Sequence, residues 1–272
     1  MSSIILISGA GQLGSRYLQG LSECINPLRI YVHDCNNESL NNAKKRWDEV
    51  LNTNIHEVLF INSLITLPKK IDIAIVSTTA NNRLTATKNI CNITNVHYWI
   101  LEKVLAQNVD EIDKLLSIIN SKAAWVNTPR RLMSWHKDIK SQLDWSNPVN
   151  FFVKGGSWGL ACNSIHFLDL FSWWTSEKLD NLYTEGLNRD WFESKRENYW
   201  EVSGDIKAKF SGGSIAHLFA DQSSDPVVIN VLNNDSWVIN ELEGSAINSE
   251  GIKISGNLNF QSEIQQLSST QF

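Results

Sequence analysis

The chain opens with an apolar run, Ile4, Ile5, Leu6 and Ile7, which meets the glycine-rich turn GAGQLG and then a segment of helical spacing ending near Leu21. Short apolar runs recur at residues 28–33, 58–61, 71–77, 97–101 and 123–127. Polar segments with helical patterning stand between them, clearest at 38–50, at 109–120 and from Pro129 toward Leu143. A strand that is apolar throughout, rather than alternating, belongs in a parallel sheet with both faces covered by helices. Asp72 is the charged exception in the run at 71–77. The alternation of strand and helix predicts an α/β, doubly wound parallel sheet, whose ligands sit at the carboxyl edge of the strands.

Beyond Asn147 and Pro148 the period changes. Residues 151–154 read as a strand, Gly155 to Gly159 as a turn, and Asn163 as the N-cap of a helix running to about Trp174. Ile206, Ala208 and Phe210 then alternate with Lys207, Lys209 and Ser211, the period of a half-buried strand. Gly212-Gly213 is a hairpin turn, and residues 227–232 and 237–240 are further arms. The second half is therefore expected to be an α+β domain with an open, mainly antiparallel sheet. The boundary falls between residues 146 and 147, giving domains 1–146 and 147–272.

The glycine turn has a physical reading. Gly9 makes the tight exit from the strand, Gly11 lets a pyrophosphate approach the backbone, and Gly14 lets the new helix pack on the sheet; Gln12 and Leu13 supply the backbone between them. The helix N-terminus offers free N–H groups and a partial positive charge, an anion site that needs no basic side chain. The second strand ends at Asp34, 20 residues beyond Gly14, where a carboxylate accepts from the adenosine ribose. That carboxylate repels the 2′-phosphate of NADP, and residues 35–38 bring no arginine, so NAD is favoured over NADP.

Composition narrows the class. With 42% apolar and 19% charged residues and no apolar run of membrane-spanning length, the chain reads as a globular protein without a membrane segment. The N-terminus carries no signal peptide, and four scattered cysteines show no zinc spacing, so a reduced, cytoplasmic protein with no metal is expected. A net charge of −5 argues against a nucleic-acid partner. The basic groups Lys44-Lys45-Arg46 and Arg130-Arg131 read as solvated faces or local anion contacts.

Hydride transfer needs a group that moves the hydroxyl proton, and a neutral imidazole suits this near neutral pH. His166 is the strongest candidate: with Asn163 as N-cap it falls in the first helical turn, whose dipole keeps it neutral, and Asp169 lies three residues on along the same face. Glu102 and Lys103 leave a strand at the carboxyl edge, where an ammonium polarises a substrate oxygen. Thr78 and Asn81 stand ready either to touch cofactor or to cap a helix, and the sequence leaves both open. Arg131 suits a substrate carboxylate or phosphate, and Trp158, before the helix, suits a sugar face.

The ordered motifs GAGQLG, STTANN, LEKV, NTPRR and GLACNSIHFLDLFSWW resemble the glucose-fructose oxidoreductase and inositol dehydrogenase family (Gfo/Idh/MocA), over residues 4 to about 262. The resemblance implies a Rossmann domain followed by an open-faced α/β domain through which such proteins commonly form homo-oligomers. It equates Lys103 with the lysine of a Glu-Lys-Pro motif and His166 with a histidine at the domain interface, and it implies a sugar, inositol or sugar-nucleotide substrate. There are two departures. Val104 stands where the family has a proline that permits a cis peptide, so the Lys103 loop is expected to be set differently. Cys162 stands four residues before His166, where the family has an acid, leaving Asn163 or Asp169 to substitute. The chain also ends short of the usual family length.

The expectation is thus an NAD(P)-dependent oxidoreductase of a sugar or sugar nucleotide, with Lys103, His166 and Asp169 at the chemistry and Arg131, Trp158 and Asn163 at the substrate. Two rivals remain: a reductase of an imine or tetrapyrrole, and a non-catalytic dinucleotide sensor or assembly protein.

Overall fold

The structure, a computed structural model, describes residues 2–50, 55–119, 123–194, 198–234, 236–241, 245–251 and 253–255. The chain divides into two compact units, one running to Asn127 and the other beginning at Thr128.

The first unit contains β1 (Ser3–Ser8), α1 (Gln12–Leu21), β2 (Leu28–His33), α2 (Asn37–Asp48), β3 (Glu57–Ile61), β4 (Lys70–Val76), α3 (Ala80–Ile93), β5 (Asn95–Leu101), α4 (Val109–Ile119) and β6 (Ala124–Val126). Its strands are all parallel, in the order β3-β2-β1-β4-β5-β6. This is the doubly wound arrangement, and its order reverses between β1 and β4, the point where such sheets bind ligands.

The continuous apolar runs have their cause in two cores. Leu6, Tyr31 and Ala74 pack on one face with Ile90 of α3 and Leu115 of α4. Ile5, Ile7, Ile30 and Val32 pack on the other with Leu18 of α1 and Trp47 of α2. Asp72, the exception, accepts the Ile4 N–H at 2.7 Å near the amino end of β1. The sequence boundaries hold to within a few residues; Asn120, the expected end of α4, lies outside the described residues.

The second unit begins with a 3-10 turn (Pro129–Leu132) and α5 (Ser134–Gln142), which a boundary at 146/147 would place in the first domain. They belong to the second unit because Met133, Ile139 and Leu143 are buried in the same core as Val149 and Phe151. Next come β7 (Asn150–Gly155), α6 (Leu160–Thr175), β8 (Leu179–Leu187), β9 (Phe192–Glu193), β10 (Trp200–Glu201), β11 (Gly204–Phe210), β12 (Ile215–Ala220), β13 (Val228–Leu232), β14 (Ser236–Asn240), β15 (Ser245–Asn248) and β16 (Lys253–Ser255).

Eight of these strands form one sheet, ordered β16-β15-β14-β13-β7-β12-β11-β8; β7 and β12 pair in parallel and every other described pair is antiparallel. The helix α6 covers one face, with Phe171 stacked on Phe151 at 4.1 Å and Trp174 stacked on Trp145 at 5.6 Å. The other face is open, so alternate residues such as Lys207 and Lys209 are exposed while Ile206, Ala208 and Phe210 are buried. The turn at Gly212-Gly213 takes a positive φ of 99° at Gly213 and is held from α6's end by the Glu177 carboxylate, which accepts from the Gly212 N–H at 2.7 Å.

Candidate active site

In the first unit the glycine turn packs backbone closely at Gly9 and Gly14 and leaves open space at Gly11. Gly9 leaves β1 with φ +98°, donating to the His33 carbonyl at 2.8 Å. A Cβ added to Gly14 would lie 1.7 Å from the Gly9 carbonyl oxygen, so close packing of α1 on the turn excludes any side chain there. Gly11 is different: a Cβ there would meet no atom within 4 Å. The fold itself demands Gly9 and Gly14, and the space above Gly11 is left for something else. Gly11 is also the N-cap of α1, with no side chain bonded to the helix end, and the first turn is free of acidic residues.

Asp34 is brought to the same place. Its Oδ2 accepts from the Ala10 N–H at 2.7 Å and its Oδ1 from the Asn36 N–H at 2.9 Å, which fixes the carboxylate beside the turn. Arg46, expected on a solvated face or at a local anion contact, instead reaches across from α2 to donate to Gln12 Oε1 at 2.6 Å and to Ser15 Oγ. The first turn of α1 thus has a guanidinium beside it. Only the packing of α2 on α1 reveals this, because Gln12 and Arg46 stand 34 positions apart with no spacing signal to join them.

Thr78 follows β4, and its backbone N would be 2.9 Å from a Cβ at Gly9. The N-cap of α3 is Thr79, not Thr78 or Asn81, and no side chain caps that helix; the capping alternative for these two residues therefore falls. Thr78 Oγ1 is buried without a hydrogen-bond partner. Glu102, at the end of β5, is only 3% exposed and accepts from the Tyr17 hydroxyl and from Asn127 Nδ2 at 2.8 Å. Burial and the Glu102 charge push the Tyr17 hydroxyl well above its ordinary value, so it stays a donor. Lys103 comes next, half-buried, and its peptide bond to Val104 is cis. The expectation that valine would change the setting of this bond is not met.

In the second unit α6 starts earlier than Asn163. Its N-cap is Gly159, at φ +77°, and Asn163 lies inside the helix with Nδ2 donating to the Trp158 carbonyl at 2.7 Å. The cap is supplied from a distance: the Glu201 carboxylate accepts from the N–H groups of Ala161 at 2.9 Å and Cys162 at 3.2 Å. His166 is therefore in the second turn, 7% exposed, and the helix-end argument for keeping it neutral no longer applies, since that field fades within one turn. Glu201, invisible to sequence spacing, brings a carboxylate to the amide of Cys162, the position at which the resemblance lacks its acid.

Arg131 and Asp169 are brought together as an ion pair at 3.0 Å. Burial pushes the Asp169 carboxyl above its ordinary range, against the opposing pull of Thr128 and Arg131. A shallow pocket of about 290 Å³ opens beside the pair, lined also by Lys140, Ser172 and Trp173. Trp158 donates its indole N–H to the Phe219 carbonyl at 2.9 Å and sits edge-on to Phe167 at 5.2 Å, so much of its ring serves packing. Of the two readings of the Arg130-Arg131 group, Arg130 takes the anion contact rather than the solvated face. It makes a two-toothed pair with Glu241 at 2.8 and 2.9 Å, and His136 Nε2 joins the same carboxylate at 3.2 Å. Burial works against the charge on Glu241, yet Arg130 and His136 outweigh it and hold the carboxyl far below its ordinary range. Among the described residues no cluster of His, Cys, Asp and Glu could hold a metal ion, and no helix is long and apolar enough to cross a membrane.

Solved structures match this chain over its whole length. Scyllo-inositol dehydrogenase from Lactobacillus casei, solved with NAD(H) and scyllo-inositol, is 14% identical with a TM-score of 0.63, covering 100% of this chain and 88% of that one. UDP-N-acetylglucosamine 3-dehydrogenase GnnA from Acidithiobacillus ferrooxidans is 13% identical at TM-score 0.68, covering 100% and 89%. This chain has the two-part fold of the Gfo/Idh/MocA-type dehydrogenases. A super-repressor mutant of Gal80p from Saccharomyces cerevisiae shares it too, 12% identical at TM-score 0.69, covering 99% and 84%. No protein-family model matches the chain, and no curated protein does.

Proposed function

We propose that this chain is an NAD-using oxidoreductase that transfers hydride to or from a hydroxyl or keto carbon of a sugar or sugar nucleotide. The observation that carries the proposal is the space at Gly11, open although the glycines on either side are required by packing, with the Asp34 carboxylate fixed beside it. The residues there fit a dinucleotide: Gly9, Gly11, Gln12, Leu13 and Gly14 would face the diphosphate, Asp34 the ribose, and Thr78, Asn81 and Lys103 the nicotinamide half. Asp34 favours NAD over NADP by charge, and Arg46 is already engaged with Gln12 and Ser15.

The bound nicotinamide would supply the hydride acceptor or donor. Lys103 would hold an ammonium against the reacting oxygen and stabilise negative charge as it develops. His166 would take or give the hydroxyl proton, and Asp169, paired with Arg131, would orient substrate together with Asn163 and Trp158. Glu102 would act from behind, through Tyr17 and Asn127. The open sheet face, where Phe152, Val238 and Ile247 are 37–45% exposed, favours a homo-oligomer formed through that sheet, which light scattering would test. A cytoplasmic location fits four cysteines that form no disulfide among the described residues.

The experiment is a fluorescence titration with NADH and NADPH, followed by a screen of cyclitols and sugar nucleotides for change in nicotinamide absorbance. Turnover that is lost in Lys103→Ala or His166→Ala supports the proposal. A second reading, a dinucleotide-binding regulatory or assembly protein, is favoured by Cys162 in the acid's place and by the fold shared with a repressor protein. Tight NADH binding, no turnover with any substrate, and unchanged binding in His166→Ala would decide for it.

A further inference from the structure

One buried cation joins the loops at the carboxyl ends of β4 and β5. Arg83, in the first turn of α3, is 1% exposed. Its Nη2 donates to the carbonyl of Thr78, and its Nη1 donates to the carbonyls of Val104 and, at 3.1 Å, of Leu105. Side chains on a helix lean toward its N-terminus, so a residue at this position naturally reaches the loops that precede and flank the helix. The charge of Arg83 is also felt by the Tyr17 hydroxyl, which donates to Glu102.

A guanidinium so deeply buried has lost its hydration, and directed hydrogen bonds are what offset that loss. Its planar fork can hold several carbonyls in fixed directions at once, which a lysine ammonium on a flexible stem does less well. The carbonyls it holds are those of Thr78 itself and of the residues directly after Lys103. We propose that Arg83 is a positioning residue: it bolts the two loops together and thereby sets where Thr78 and Lys103 stand at the carboxyl edge. This inference rests on reading that edge as the nicotinamide end of a dinucleotide site. Its own content is a mechanical link between two segments 25 residues apart, made by a side chain that acts through the backbone carbonyls of Thr78, Val104 and Leu105.

The test uses the full chain with Arg83→Met and Arg83→Lys, titrated with NADH and with ADP-ribose, which keeps the diphosphate half and lacks the nicotinamide ring. Arg83→Met is expected to weaken NADH about tenfold while changing ADP-ribose by less than about twofold, with Arg83→Lys recovering part of the loss. Amide exchange in segments 77–80 and 103–106 is expected to speed up about tenfold in Arg83→Met while α1 stays protected. Equal loss of both ligands, or unchanged exchange in those segments of a folded variant, overturns the proposal. If Arg83→Met does not fold, Arg83→Lys carries the same measurements, with smaller changes of the same sign expected. If the unaltered protein binds neither ligand, the dinucleotide reading fails, and amide exchange in Arg83→Lys alone decides whether the clamp exists.

Discussion

The two sheets solve opposite problems. The parallel sheet buries both faces under helices, so its strands carry apolar residues on both sides, and its function is pushed to the edge, where loops leave the strands. The eight-stranded sheet buries one face under α6 and leaves the other open, so strands such as β11 alternate, and its candidate residues sit on α6 or in the segments beside it rather than on the strands. At the first sheet the glycine turn is made by local backbone, although Arg46 and Tyr17 tie it to segments farther along the chain. In the second unit the geometry is made by partners far apart in sequence: Glu201 on α6, Arg131 on Asp169, Arg130 on Glu241.

That contrast can be broken by substitution. Gly14→Ala is expected to do the most damage, because its Cβ would overlap the Gly9 carbonyl at 1.7 Å. A loss of at least about 4 kcal/mol or no folded protein is expected in urea unfolding. Gly11→Ala is the control: it should cost no more than about 1 kcal/mol, yet weaken NADH about tenfold. Equal stability losses at the two glycines would end the claim that Gly11 is spared for a ligand.

Next in size is Arg130→Met, which takes the guanidinium from the buried Glu241 carboxylate and leaves it the His136 ring, and should cost about 3 kcal/mol near neutral pH. The sign of its pH dependence comes from the depressed Glu241 value. Stability from such a carboxyl is fully present above the ordinary value of 4.5 and is lost as pH falls toward the depressed folded value. The gap between variant and unaltered protein should therefore narrow as the solution is made acidic, and a gap that widened in acid would contradict the assignment.

Smaller again is Glu201→Ala, which uncaps α6 and is expected to lower the urea-derived stability by about 1–2 kcal/mol. No change would mean that solvent caps the helix equally well. Smallest is Arg29→Ala, which removes a pair with Glu57 whose side chains are 44% and 56% exposed; less than about 1 kcal/mol should be lost.

Legibility divides along the same line. The parallel sheet and the glycine turn can be read from the chain because each strand's apolar run, each glycine and Asp34 act within a few tens of residues. The alternation at 206–210 and the glycine hairpin are equally plain. The edge strand β8 is not, because nearly all of it is exposed and it carries no burial pattern to read. Nor is the start of α6, since a glycine in the left-handed region and a carboxylate 40 residues downstream do the work expected of Asn163.

The amino-acid order by itself determined the doubly wound sheet and the glycine turn, because backbone sterics and hydrophobic period are local properties. Folding in three dimensions decided which charges are spent inside: Arg83 on three carbonyls, Arg130 on Glu241, Glu102 on Tyr17 and Asn127. A charged side chain looks the same in a sequence whether it faces water or a buried partner. Only the partner's arrival, through contacts between distant segments, makes burial of the charge tolerable.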